Sequence, residues 1–217
     1  MIVDERVSCY IKSLTACNSN FLEELREKAL EDKVPIIKRE TESLLKTLLL
    51  LKKPKKILEV GTAVAYSSLV MAEVLEGKTK ISTIENYEKR VLEARKNIAD
   101  SNYSNTIHLI EEDASKVLKE LVEKKEKYDF IFMDAAKGQY INWLEPVIKL
   151  LNKEGVLYSD NVLQGGDIVQ SRYLIERRDR SIHSRLREYL YELTHREELS
   201  TTILSLGDGV ALTVLKK

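Results

Sequence analysis

From Lys56 onward the chain alternates short apolar runs with longer amphipathic stretches, and that pattern admits few folds. A run of five or six apolar-rich residues is strand-length, while the stretches between repeat their apolar positions at helical spacing. Each run, stretch and run is therefore a βαβ unit, and successive units build a parallel sheet covered on both faces. The predicted strands are Lys56 to Val60, Lys80 to Glu85, Thr106 to Glu111, Tyr128 to Met133 and Gly155 to Ser159, with predicted helices such as Tyr66 to Leu75 and Tyr87 to Asp100 between them. A long charged helical segment is predicted from about Ile168 to Leu193. Beyond it, Thr201 to Leu206 and Val210 to Leu215 flank Gly207-Asp208-Gly209, and an Asp-Gly pair between two apolar runs predicts a hairpin, so the sheet ends in antiparallel strands.

The first fifty residues follow a different rule. Apolar residues recur three and four apart (Val7, Tyr10, Ile11, Leu14; Phe21, Leu22, Leu25; Leu44, Leu45, Leu48, Leu49), which predicts helices, broken at Val34-Pro35-Ile36. The expected architecture is a single α/β domain over 1–217, Rossmann-like, with a mostly parallel seven-stranded sheet, helices on both faces, and residues 1–52 as a helical cap.

Charge and composition exclude several classes of function. Lysine plus arginine balances aspartate plus glutamate at 35 each, so no global field draws the chain to DNA or to a membrane surface, and any polyanion contact is local. No apolar run reaches the roughly 18 to 20 residues of a membrane span, and acidic residues stand near the start where a signal peptide needs basic ones; a cytoplasmic protein is expected. Cys9 and Cys17, if on one helix, are separated by eight residues of about 1.5 Å rise and too far apart to bridge, so they are expected to be plain thiols.

Ile57-Leu58-Glu59-Val60-Gly61-Thr62-Ala63-Val64-Ala65-Tyr66-Ser67 runs from a strand through a glycine turn into a helix, the place where open α/β sheets bind ligands. A dinucleotide fold needs two further glycines so that backbone can approach a pyrophosphate; Ala63 and Ala65 stand there instead, which disfavours NAD. A cofactor without phosphate that presents an amino acid end to the turn tolerates those side chains. It would meet Gly61, Thr62, Tyr66 and a carboxylate such as Glu59. Glu85, 24 residues after Gly61, ends the second strand near the offset at which an acid receives ribose hydroxyls, and Asp113-Ala114 follows the third.

The fourth and fifth strands end in Asp134 and in Asp160-Asn161. If those strands are neighbours, the three side chains offer oxygen ligands suited to Mg²⁺ or another divalent cation such as Mn²⁺, and with no histidine or cysteine near them zinc is disfavoured. The alternative is two unrelated strand-end acids, one of them a helix cap.

Leu58-Glu59-Val60-Gly61 with Tyr66-Ser67, Met133-Asp134-Ala135-Ala136-Lys137 and Asp160-Asn161 resemble the metal-dependent O-methyltransferase family that includes the catechol and caffeoyl-CoA enzymes. Within it, Asp134-Ala135-Ala136-Lys137-Gly138-Gln139-Tyr140, Asp160-Asn161-Val162-Leu163 and the late Thr201-Thr202 and Gly207-Asp208-Gly209 look most like the bacterial tRNA 5-hydroxyuridine methyltransferases. The resemblance implies S-adenosylmethionine at Ile37, Ser67, Glu85, Asp113, Ala114 and Asp134, a cation at Asp134, Asp160 and Asn161, catalysis by Lys137 with Asp134, and a homodimer. Lys137 would serve either as a base or, charged, as an electrostatic stabiliser. Ala65 departs from the family, in which glycine is usual; an alanine in the first turn of a helix costs little.

For a tRNA anticodon loop the best phosphate-binding candidates are the arginines between Arg172 and Arg187 (172, 177, 178, 180, 185, 187), which outnumber the acids Glu176 and Asp179 by four, with Lys38 and Arg39 adding to them. Of these, Arg172, Arg177, Arg178 and Arg180 lead. Tyr140 and Trp143 are candidates to stack a base, or are core. The alternative substrate is a small catechol or phenolic ester, with the basic segment merely solvated. A binding module without catalysis is the third possibility, disfavoured by the presence of Asp134, Lys137, Asp160 and Asn161.

Overall fold

The computed structural model describes residues 4–216. Seven strands, β1 (Lys56–Val60), β2 (Lys80–Ile84), β3 (Ile107–Ile110), β4 (Tyr128–Met133), β5 (Leu151–Ser159), β6 (Leu199–Leu204) and β7 (Val210–Leu215), form one sheet in the order β3-β2-β1-β4-β5-β7-β6. All neighbours are parallel except β7, which runs antiparallel to both β5 and β6. The helices are α1 (Glu5–Leu14), α2 (Asn20–Glu31), α3 (Arg39–Lys52), α4 (Tyr66–Val74), α5 (Glu88–Ala99), α6 (Ala114–Glu123), α7 (Tyr140–Leu150) and α8 (Arg180–His195).

Strand periodicity divides the core in two. Ile57, Phe130, Phe132 and Tyr158 face one side and pack with Leu45, Leu49, Leu69 and Met71 of α3 and α4. Their chain neighbours Leu58, Ile131, Met133 and Leu157 face the other, against Leu118, Leu144, Val147 and Leu186 of α6, α7 and α8. Burial on both faces is why β1 and β4 read as continuous apolar runs rather than alternating ones. Strand order reverses at β1, which lies between β2 and β4, so a crevice opens beyond the carboxyl ends of these strands.

Some boundaries differ from expectation. The long charged helix does not exist as one element: α8 begins only at Arg180, and the chain before it forms short 3₁₀ turns at Gln164–Val169 and Arg172–Leu174. Gln170, Ser171 and Ile175 take extended backbone (ψ 160°, 139° and 140°), which no helix continues through. β5 starts at Leu151, four residues early, because Leu151 pairs with Tyr128 before the register jumps to Val156 opposite Phe130. The intervening residues bulge, which hid the strand's beginning. β6 covers Leu199–Leu204 rather than Thr201 to Leu206, since its ladder with β7 begins with Leu199 opposite Leu215. Cys17 lies beyond the end of α1, and both cysteines are free and exposed. Among the described residues no helix is long and apolar enough to cross a membrane.

Candidate active site

A cleft of about 630 Å³ lies at the carboxyl ends of the central strands, roofed on one side by Pro35, Ile36 and Ile37 between α2 and α3. Gly61, Thr62, Tyr66, Ser67, Glu85, Asp113, Ala114, Asp134, Lys137 and Asn161 all line it. The structure thus brings together residues that the sequence scatters over five segments.

The turn after β1 is tightly built. Gly61 has φ +99°, and a Cβ on it would lie 2.2 Å from the Asp134 carbonyl oxygen. The Gly61 and Thr62 amides both donate to the Ile84 carbonyl, at 3.1 and 3.2 Å, tying the turn to β2. Glu85 reinforces this: its carboxylate accepts from the amides of Ala63 (2.9 Å), Asn86 (3.1 Å) and Tyr87 (3.0 Å). Ala65 corrects an expectation. It is not in the helix's first turn but caps α4 in the left-handed region, with φ 65° and ψ 20°, where a side chain costs about 1–2 kcal/mol relative to glycine. Its methyl is fully buried, and that burial offsets part of the cost.

Glu59 also corrects the reading. It does not line the cleft but is fully buried beneath it, accepting hydrogen bonds from Ser67 Oγ (2.5 Å), Ser68 and Thr83 Oγ1 (2.5 Å). It orients Ser67, which does line the cleft. Burial pushes the Glu59 carboxyl up to about 7, with the Asp134 charge adding to the rise and the three hydroxyls opposing it. Between the ordinary carboxylate range and about 7 the folded protein therefore holds a proton that the unfolded chain has released. Stability from this group is complete below that range and is lost as pH rises through about 7. Thermal melts from pH 5 to 8 should show wild type losing ground to Glu59→Gln as pH rises; parallel curves would refute the assignment.

Asp113 lines the cleft while also capping α6, accepting from the amides of Ser115 (2.9 Å) and Lys116 (3.3 Å).

On the other side of the cleft, β4 and β5 are parallel neighbours, with Met133 opposite Ser159. The Asp160 amide donates to the Met133 carbonyl at 3.0 Å, which sets the two strand ends side by side. Asp134 and Asn161 line the cleft; Asp160, 2% exposed, is buried beside them. Asn161 takes φ +59°, a conformation asparagine adopts more readily than most residues, and its amide donates to Asp160 Oδ1 at 2.9 Å. Burial, and then the Asp134 charge, push the Asp160 carboxyl well above the ordinary range. Among the described residues no group of three His, Cys, Asp or Glu side chains is arranged to hold a metal, so the oxygen donors here are two carboxylates and one carboxamide.

Lys137 follows directly. Its Nζ donates to Asp134 Oδ1 at 2.5 Å and to Tyr140 Oη at 3.1 Å. Burial alone would favour the neutral amine, but the Tyr140 and Asp134 oxygens outweigh it and hold the group above its usual range, as an ammonium. Tyr140 is fully buried and donates to the Met133 carbonyl at 2.9 Å, so it is core and cannot stack a base. Trp143 lines the cleft, with Nε1 donating to Ser115 Oγ at 3.0 Å.

The basic candidates fare unequally. Lys38 pairs with Asp208 at 2.7 Å, across to the hairpin turn between β6 and β7. Arg39, with 18% of its side chain exposed, is held by Glu23 and Glu42, so it is a structural cation and not a phosphate contact. Arg178 pairs with Glu176 (3.0 Å) and Asp179 (3.5 Å), and Arg180 donates to the Ile175 and Tyr173 carbonyls. Arg172 and Arg177 are exposed, and so is Tyr173 at 85%, an aromatic on the same segment that no periodicity marks in the sequence.

The profile of the O-methyltransferase family matches residues 12–217. A flavonoid 3',5'-methyltransferase of Vitis vinifera is 33% identical over 172 residues, 76% of this chain and 72% of that one, and a caffeoyl-CoA O-methyltransferase of Citrus natsudaidai is 31% identical over 73% and 70%. The crystal structure of a candidate caffeoyl-CoA O-methyltransferase from Staphylococcus aureus superposes with a TM-score of 0.89 at 31% identity, covering 97% of this chain and all of that one. With the turn at Gly61, the paired strand ends at Asp134 and Asp160 and a family profile spanning nearly its whole length, the chain belongs to the O-methyltransferase family, alongside the caffeoyl-CoA and catechol enzymes.

Proposed function

We propose that this protein moves a methyl group from S-adenosylmethionine to the 5-hydroxyl of 5-hydroxyuridine at the tRNA wobble position, giving 5-methoxyuridine. The observation that carries the methyl-transfer reading is the meeting of two half-sites in one cleft: the Gly61 turn with Glu85 and Asp113, and Asp134 with Asn161 and Lys137. The donor set fits a divalent cation. Asp160 is buried with one backbone amide for a partner and lies near a second carboxylate, an arrangement that is unfavourable until a cation or proton compensates it. Asp134, Asp160 and Asn161 would hold the ion, all through oxygen, as Mg²⁺ or Mn²⁺ prefers. A divalent cation in this place supplies the positive charge that lowers the pKa of a hydroxyl brought against it.

The chain's own residues do the rest. The Gly61 turn lets backbone approach the amino acid end of the methyl donor, and beyond its three amide contacts Glu85 keeps one lone pair, on Oε2, for a ribose hydroxyl. The Lys137 ammonium favours an oxygenate over a hydroxyl next to Asp134. For RNA, the support is the motif resemblance together with Arg172, Arg177 and Tyr173 exposed on the segment that follows Asn161.

A second reading, methylation of a small catechol or phenolic ester, draws on the Vitis and Citrus relatives and on the engagement of Lys38 and Arg39 by acids. The discriminating assay compares methyl transfer to anticodon-loop RNA with and without 5-hydroxyuridine, and to a catechol. Hydroxylated RNA should exceed both other substrates at least tenfold in kcat/KM; activity on the catechol equal to or above that on RNA rejects the tRNA reading in favour of the second.

A further inference from the structure

The cap and the glycine turn are joined by a buried charge cluster that the reaction itself does not call for. Glu42, in the first turn of α3, is fully buried, and Tyr66 Oη donates to its Oε2 at 2.8 Å. Asn18 Nδ2 donates to Oε1 at 2.8 Å and approaches Tyr66 Oη at 3.1 Å. Arg26 Nη1 lies 3.4 Å from Glu42 Oε2 and donates to the Ile37 carbonyl at 3.1 Å. Its guanidinium also sits over the Tyr66 ring, 5.4 Å from the centroid. Arg39 Nη1 reaches the other oxygen at 3.4 Å, and Lys46 donates to Asn18 Oδ1 at 2.7 Å.

A continuous path therefore runs from Tyr66 Oη through Glu42 Oε2 and Arg26 Nη1 to the Ile37 carbonyl. Its two ends are walls of the same cleft, Tyr66 from the core and Ile37 from the cap. Burying such a cluster gains little stability over apolar packing of the same volume, because desolvation consumes the Coulombic gain. What it does provide, beyond the apolar packing of α2 and α3 on α4, is a directional polar link that fixes the separation between Ile37 and Tyr66.

We propose that Glu42 is a positioning residue for the cofactor, holding Ile37 and Tyr66 at the spacing that the methyl donor needs. The proposal rests on the cleft being the S-adenosylmethionine site. Calorimetry with S-adenosylhomocysteine on wild type, Glu42→Gln, Tyr66→Phe and the double variant tests it. Glu42→Gln keeps the shape but loses the charge that holds Arg26; Tyr66→Phe removes only the hydroxyl and is read if Glu42→Gln does not fold.

Each single variant should weaken binding about tenfold, and the double variant should be no weaker than the worse single, since both break one path. In Glu42→Gln, KM for the methyl donor should rise while kcat at saturation stays within about twofold of wild type. A dissociation constant within twofold of wild type in the single variants, even with a lowered thermal midpoint, overturns the proposal and leaves the cluster purely structural. Additive losses in the double variant overturn the shared path. If wild type itself does not bind S-adenosylhomocysteine, the cofactor reading fails and the proposal with it.

Discussion

Lys137→Ala is expected to lower kcat by about 10²- to 10⁴-fold, the usual weight of a positioned proton-transfer or charge-stabilising group, while affinity for the methyl donor changes by less than about threefold. The reason is where the ammonium sits. It is 2.5 Å from Asp134 Oδ1 and 3.1 Å from Tyr140 Oη, in the cleft that the Gly61 turn and Glu85 line with Asp134 and Asn161. Its removal breaks the ion pair with Asp134 but no contact in the Gly61 turn. Lys137→Arg should not restore activity, because a planar fork of five donors does not fit a place built for a point charge. Steady-state kinetics alongside calorimetry separates the effects; a kcat within threefold of wild type would make Lys137 a packing residue.

Gly61→Ala is expected to abolish cofactor binding and to cost roughly 3 kcal/mol or more of stability, from left-handed backbone strain together with overpacking. At φ +99° a methyl would stand 2.2 Å from the Asp134 carbonyl oxygen and 3.0 Å from Ala135 Cβ. Those neighbours cannot move cheaply, since the Asp134 amide is itself bonded to the Val60 carbonyl at 3.0 Å, in the ladder joining β1 and β4. The clash therefore spreads to the strand end that carries Asp134. Ala65→Gly makes the contrast: it removes strain and a buried methyl together and should stay within about 1 kcal/mol of wild type. Chemical denaturation compares them, and a Gly61→Ala protein as stable as Ala65→Gly would show the turn to be slack.

The difference between what was legible in the sequence and what was not follows the range of the interactions. Strand and helix periods are local, so β1, β4 and β7 fall at Lys56, Tyr128 and Val210 as read from the apolar runs. Strand-end residues at Gly61, Glu85, Asp113 and Asp134 were visible because parallel α/β sheets always gather those ends. Pairings between distant segments left no periodic trace. Glu59 looks like a cofactor ligand until three hydroxyls from α4 and β2 are seen to enclose it. Arg39 and Lys38 look like free cations until Glu23, Glu42 and Asp208 are placed against them. The segment from about Ile168 to Asp179 reads as helix by charge and length, and fails as helix because Gln170, Ser171 and Ile175 take extended backbone before α8 begins at Arg180.

The proposed methyl transfer depends on Asp134, Asp160 and Asn161 acting together on one divalent cation in the cleft. Titration of Mg²⁺ or Mn²⁺ into metal-stripped protein with S-adenosylhomocysteine present, for wild type and Asp160→Ala, tests it most directly. Wild type should show one site per chain and Asp160→Ala an affinity reduced at least tenfold, with methyl transfer lost on chelation and restored by the ion. Equal binding by the two proteins, or methyl transfer undiminished by a chelator, would contradict it.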